Sequence, residues 1–217
     1  MEEENENSIK VVLLGESFVG KTSLINVFTN NKFQEDSLAS VSASCLNKKI
    51  ETNKGLYTVR IWDTAGQEKF RSLNKIFIKD SNIVIFVYDI TRSITLDELN
   101  YWFEYTEHCL GKNVALYGVV GNKIDLFDKE EEVREKFKNT KLSNQINYVD
   151  INKGKEFANK IDAQFCEASV KANINSFSKM VELLVTNYVK ENKIQKSKTF
   201  AIEPEGQKPN SKCCLKF

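Results

Sequence analysis

The chain has 217 residues, 41% of them hydrophobic and 28% charged, with 31 Lys+Arg against 30 Asp+Glu. That composition excludes a disordered, collagenous or low-complexity protein, and a net charge near zero gives no global field to hold a nucleic-acid polymer. Five cysteines without metal-ligand spacing and a single histidine, His108, leave no disulfide scaffold, zinc site or His-based triad to assemble.

In chain order, residues 1–7 read as an acidic arm that lacks the basic-then-apolar order of a secretory signal, so a cytoplasmic protein is expected. Residues 8–189 read as one domain. Residues 9–14 (IKVVLL) form a short apolar run, followed by a glycine-rich turn and a helical stretch over 22–29. Residues 56–62 (LYTVRIW) alternate as a strand with one covered face does, whereas 83–88 (IVIFVY) and 114–120 (VALYGVV) are apolar throughout, as in strands buried on both sides. Residues 96–110 have helical spacing between those two runs, and a short strand is expected near Phe165. Phe177, Met180, Val181, Leu184, Val185 and Tyr188 give the stripe of a final amphipathic helix. Residues 190–217 hold seven lysines, three glutamates and both prolines, and are expected to be a flexible basic tail. Strand–helix alternation predicts an α/β fold with a mainly parallel sheet covered on both faces. No apolar run reaches the ~18 to 20 residues of a membrane helix.

Ligands of such sheets sit where the strands end, so the turns after the strands carry the chemistry. The first reads Gly15-Glu16-Ser17-Phe18-Val19-Gly20-Lys21-Thr22, matching G-x-x-x-x-G-K-S/T between a strand and a helix. Its backbone N–H groups and the helix start suit phosphate oxygens, Lys21 neutralises β/γ-phosphate charge, and the Thr22 hydroxyl suits Mg²⁺. This makes the chain a P-loop nucleoside triphosphate binder without naming the base. The second, Asp63 to Glu68 (DTAGQE), offers a carboxylate for a metal shell, the Gly66 N–H for a γ-phosphate and Gln67 to orient a water. The third, Gly121-Asn122-Lys123-Ile124-Asp125, places a carboxylate where it accepts two hydrogen bonds from guanine N1–H and its exocyclic amine, which adenine cannot give. There Asn122 braces neighbouring loops and the Lys123 stem lies along the base. The fourth, Glu167-Ala168-Ser169-Val170-Lys171, offers backbone donors to the guanine carbonyl.

With these four motifs in this order, the chain resembles the small Ras-like GTPases over nearly its whole length. Within them WDTAGQEKFRSL (62–73) and FVYDIT (86–91) are similar to the Rab family, and FIKDS (77–81) looks most like its Golgi-associated subgroup. The resemblance implies a P-loop NTPase fold with a mostly parallel six-stranded sheet and helices on both faces, a single GTP-binding G domain that hydrolyses GTP slowly with Mg²⁺ and switches partners in vesicle traffic. It implies Gln67 as the catalytic residue, a nucleotide set extended by Ser23, Phe33 and Ser40, and metal contacts from Thr22, Ser40 and Asp63. The implied partners are GTP or GDP, an exchange factor, a GTPase-activating protein, effectors and an escort or dissociation-inhibitor protein. A monomer on the cytosolic face of an endomembrane, Golgi or endosomal, is expected. Two other readings stay open: a nucleotide-dependent binding module with negligible hydrolysis, and a Rho-like signalling GTPase.

The chain departs from the family's wording at Ser40-Val41-Ser42 in the first switch segment, at Cys45 in the aromatic cluster completed by Trp62 and Phe77, and at the bulky Phe18 in the phosphate loop. An insertion at about 128–148 carries Glu130/Arg134 and Glu132/Lys136 at i,i+4 with Val133 and Phe137 on one face, and reads as a short solvated helix. Adjacent Cys213 and Cys214 near the end suit double prenylation, since one lipid chain anchors only marginally and two anchor stably.

Overall fold

Period-two alternation of apolar side chains builds the centre of the molecule. In the computed structural model, which describes residues 7–30, 44–63, 74–111, 115–127, 129–138, 140, 146–172 and 174–196, strands β1 (Ser8–Leu14), β4 (Ile83–Asp89) and β5 (Leu116–Asn122) lie side by side in parallel. Val11 and Leu13 of β1 pack to one face with Ile83, Ile85 and Val87 of β4, while Val12 and Leu14 pack to the other with Val84, Phe86 and Tyr88. Every residue of β4 is buried, as a central strand covered twice requires.

The sheet has six strands in the order β2-β3-β1-β4-β5-β6, with β2 (Ser44–Thr52), β3 (Gly55–Asp63) and β6 (Gln164–Ala168) completing it. Only the β2–β3 pair is antiparallel. The expected α/β architecture of six mostly parallel strands is therefore the one observed. Helices α1 (Lys21–Asn30) and α7 (Asn175–Lys196) cover one face, where the Phe28 and Phe177 rings meet edge to face at 5.7 Å. Helices α2 (Asn74–Ile78), α3 (Ile94–Asp97), α4 (Leu99–Leu110) and α6 (Ile151–Lys160) supply residues to the other, with Trp102 of α4 the largest fully buried side chain. Full burial of each such side chain stabilises the fold by roughly 1.5–3 kcal/mol.

Two boundaries differ from the sequence expectation. The helical stretch of residues 96–110 is two helices, α3 and α4, joined at Glu98. The final helix continues past residue 190 to Lys196, so the expected start of the tail falls inside it. Its continuation, rich in Lys, Glu and Gln, has good helix propensity, and the Lys54 ammonium donates to the carbonyls of Val189 (3.2 Å) and Lys190 (3.5 Å). Strand β2 and helix α6 had no expected counterpart. Between β5 and α6, helix α5 (Glu130–Phe137) occupies the insertion, with the Arg134–Glu130 pair exposed and Val133 buried.

Candidate nucleotide site

The sheet order puts β1 between two strands that come later in the chain, and the loop that leaves β1 opens at that switch point. Asp63, Asp89, Asn122 and Ala168 end the other parallel strands on the same edge, and Asp89, Asn122 and Ala168 are direct neighbours in register. Four segments far apart in sequence thereby converge beside one turn.

Two glycines let that turn form. Gly15 has φ +144° and Gly20 φ +98°, values that L side chains rarely adopt. A Cβ on Gly15 would fall on the Val87 carbonyl oxygen, and one on Gly20 on the Asn122 amide nitrogen. Phe18 also has positive φ, 63°, and its ring is 67% exposed, facing out of the loop.

Each carbonyl from Gly15 to Gly20 has a donor. The Lys21 ammonium, 4% exposed, donates to Gly15 O and Glu16 O at 2.8 Å each. Ser17 O accepts from Arg92 Nη2 at 2.8 Å, Phe18 O from Lys123 Nζ at 2.7 Å, and Val19 O from Asn122 Nδ2 at 2.7 Å. Gly20 O accepts the Leu24 N–H as α1 begins. In a trans peptide the C=O and the following N–H point in opposite directions. Carbonyls 17 to 19, tied to Arg92 after β4 and to Asn122 and Lys123 at the end of β5, therefore turn the N–H groups of Phe18, Val19 and Gly20 away from those donors.

Asp89 organises the donors. It is 1% exposed and lies at the end of β4. Its Oδ1 accepts from the Thr91 N–H (2.9 Å) and hydroxyl (2.8 Å), while Oδ2 lies 2.7 Å from Lys123 Nζ and 3.4 Å from Arg92 Nε. Thr95 closes the turn, its hydroxyl donating to Arg92 O at 2.7 Å and accepting from the Asp89 N–H at 3.0 Å. A buried carboxylate needs such partners, because an isolated charge is strongly disfavoured away from water.

Ser169 joins the turns after β5 and β6. Ser169, fully buried, donates its hydroxyl to Asp125 Oδ1 at 2.6 Å and accepts the N–H groups of Lys171 (3.1 Å) and Ala172 (3.0 Å). The 169–172 turn is thus held by one hydroxyl that also aims the carboxylate. Lys123 has φ +69°, which lets the chain turn from β5 into the 3-10 turn Ile124–Leu126 carrying Asp125. Asn122 is 1% exposed, and its Oδ1 is buried without a hydrogen-bond partner among the described residues.

The structure gathers Gly15, Glu16, Ser17, Val19, Gly20, Lys21, Asn122, Lys123, Asp125 and Ser169 around these contacts, with Val170 and Lys171 in the turn after β6. Thr22 and Ser23 start α1, and Asp63, 2% exposed, ends the strand next to β1. Phe33, Ser40, Gly66, Gln67, Cys213 and Cys214 lie outside the described residues. Of the aromatic cluster, the Trp62 and Phe77 rings are 5.8 Å apart and Cys45 is the register partner of Trp62. Asp89, Thr91, Arg92 and Thr95 had no role in the sequence reading. An aspartate ending an apolar strand two residues before a threonine is a turn signal, but Arg92 carries no local sign of its partner 75 positions away.

Comparison with known proteins gives the family context. A family model described as the Ras family matches residues 10–190. The Ras-related protein Rab-21 of Homo sapiens is 37% identical over 166 residues, covering 76% of this chain and 66% of the relative. The same protein of Canis lupus familiaris gives the same identity and coverage. The Ras-related protein Rab7 of Pisum sativum is 40% identical over 123 residues, 54% of this chain and 59% of the relative. The match thus spans slightly less than two thirds of the Rab-21 relatives in dog and human.

Proposed function

The chain belongs to the Ras family, and on that premise we propose that it is a Rab-like small GTPase, a switch that binds GTP and GDP, hydrolyses GTP slowly and recruits effectors to membranes in vesicle trafficking. The observation that carries this reading is the run of phosphate-loop carbonyls, 17 to 19, each held by a side chain from the turn after β4 or from the end of β5 and the residue that follows it. A loop braced in that way keeps its N–H groups set for an anion, so little ordering remains to be done when the ligand arrives. Rab-type relatives favour this reading over a Rho-like one.

Each residue has a role that its surroundings support. The Lys21 ammonium, fixed over Gly15 O and Glu16 O, supplies charge for β- and γ-phosphates. Asp125, aimed by Ser169, accepts the two N–H donors of the guanine edge, while the Lys123 stem lies along the base. The hydroxyl of Thr22, in the first turn of α1, and the buried carboxylate of Asp63, at the end of β3, are hard oxygen donors, which fits Mg²⁺ completed by phosphate oxygens and water. When bound there, Mg²⁺ neutralises charge on the transferring phosphoryl group. Gln67 orients the attacking water, and Phe33 and Ser40 complete the nucleotide and metal contacts. An activating protein supplies the rest of the rate in trans.

The switch works on a membrane through a lipidated tail. Prenylation of Cys213 and Cys214, reinforced by the tail lysines at about 1 kcal/mol each on an anionic leaflet, holds the protein on the cytosolic face of an endomembrane. An exchange factor loads GTP, effectors read the GTP form, and an escort or dissociation-inhibitor protein carries the lipid through the cytosol. No helix among the described residues is long and apolar enough to cross a membrane. Intact-mass measurement of protein from its own cells should find two prenyl adducts; unmodified cysteines would refute the anchor.

The enzymatic part is tested by single-turnover phosphate release from the GTP-loaded protein. A rate on the order of 10⁻⁴ s⁻¹ is expected, falling in a Gln67→Leu variant that still binds GTP. No release from a GTP-bound protein would instead support the binding module, and equal rates in the two proteins would remove Gln67 from the mechanism.

A further inference from the structure

Ser17 O stands apart among the phosphate-loop carbonyls. Those of Phe18 and Val19 accept from Lys123 and Asn122, within the motif assigned to the base. Ser17 O accepts from Arg92, which belongs to none of the four motifs. Arg92 is 9% exposed, and its guanidinium is held between Ser17 O and the Asp89 carboxylate. A guanidinium stays charged throughout the working pH range and presents its donors in a rigid fork, so it holds both partners in one geometry.

The main chain around Arg92 is held by the segment at the end of the insertion. Ser93 N–H donates to Asn147 O (2.7 Å), Asn147 N–H to Thr91 O (2.9 Å) and Val149 N–H to Ile90 O (2.8 Å). The Asn147 amide adds a bond to Ser93 Oγ at 3.1 Å. The turn after β4 is thus pinned on one side to residues 147–149 and on the other to the phosphate loop.

We propose that Arg92 is a positioning residue for nucleotide retention, fixing the Ser17–Phe18 peptide so that its N–H faces the phosphates and thereby slowing the release of GDP. The proposal rests on the guanine-nucleotide reading above, and the two fail differently. If the Arg92 bond is lost, the peptide can rotate and the anion loses one oriented donor. Guanine selection, which belongs to Asp125 and Ser169, is untouched.

The test follows dissociation of fluorescent GDP from the full chain with Mg²⁺ present, in wild type, Arg92→Met and Arg92→Lys, together with the ³¹P resonance of the bound β-phosphate. Arg92→Met should release GDP roughly ten-fold or more faster, the usual scale for a lost hydrogen bond to a charged group. Its β-phosphate resonance should move, and Arg92→Lys should restore most of both. Release from Arg92→Met at the wild-type rate, with an unchanged resonance, overturns the proposal. So does equal acceleration in the Met and Lys variants, which marks lost packing rather than a lost donor. Should Arg92→Met not fold, Arg92→Gln takes its place, with faster release than wild type expected and equal release contradicting. A folded wild type that binds no GDP fails the underlying reading as well.

Discussion

Ser169 and Asp125, 44 positions apart, are joined by a 2.6 Å hydrogen bond from a serine hydroxyl with no solvent exposure. The same hydroxyl accepts from two N–H groups of the turn that follows. In Ser169→Ala the carboxylate loses its aim and both N–H groups, which are part-buried, lose an acceptor. Stability should fall by about 1–3 kcal/mol in chemical denaturation. GDP affinity should fall by about ten-fold or more, read by titration of the folded variant. An unchanged affinity would place the base elsewhere.

Asp89 should be less replaceable than its 1% exposure alone implies. It faces Lys123 and Arg92 together, so Asp89→Ala leaves two cations without their shared anion. Breaking a buried ion pair by removing one partner costs roughly 3–5 kcal/mol. Thermal and chemical unfolding should both register the loss, and GDP release should accelerate because the donors to Ser17 and Phe18 are no longer held. Loss of stability without faster release would make Asp89 purely structural.

Gly20→Ala should fail for two separate reasons. The residue sits at φ +98°, and its new Cβ would displace the Asn122 amide from Val19 O. Backbone strain of this kind costs of order 1–3 kcal/mol. Nucleotide affinity should drop, whereas Gly55→Ala, with φ +120° and nothing within 4 Å of its Cβ, should lose stability through backbone strain and leave affinity unchanged. Equal nucleotide affinity in Gly20→Ala and wild type would contradict the close approach.

Alkaline pH should weaken the fold. Burial pushes the Cys166 thiol up to about 12 from 9.0, helped by Glu167, and raises the Tyr88 and Tyr117 hydroxyls above their ordinary value of 10.0. For Tyr117 the hydrogen bond and charge of Glu107 add to burial. With folded values raised, the native state keeps protons that the unfolded chain has already released. Stability is therefore intact below pH 9 and falls as pH rises from 9 towards 12, by up to roughly 1.4 kcal/mol per pH unit for each such group. Denaturation midpoints at pH 8, 9.5 and 11 check this; a flat profile would mean these groups are solvated.

The sequence carried the centre of the sheet because fully buried parallel strands are continuous apolar runs, as at residues 83–88. It did not carry β2, whose residues SCLNKKIET are largely polar, since an edge strand covers little and pairs through its backbone. Helix α6 was hidden by its polar composition and by Gly154, a residue that helix propensity disfavours. The phosphate loop was legible because its glycines, lysine and threonine lie within eight consecutive positions. Its bracing was not, because Ser17, Phe18 and Val19 take donors 75, 105 and 103 positions away. Only folding brings those together.

The most direct measurement is calorimetric titration of the refolded, nucleotide-free protein with GDP and with ADP under the same conditions. A pocket whose Asp125 carboxylate is aimed at the guanine edge should bind GDP at least 10⁴-fold tighter than ADP. Comparable binding of the two nucleotides would contradict the assignment of Asp125, and with it the reading of this chain as a GTP-operated switch.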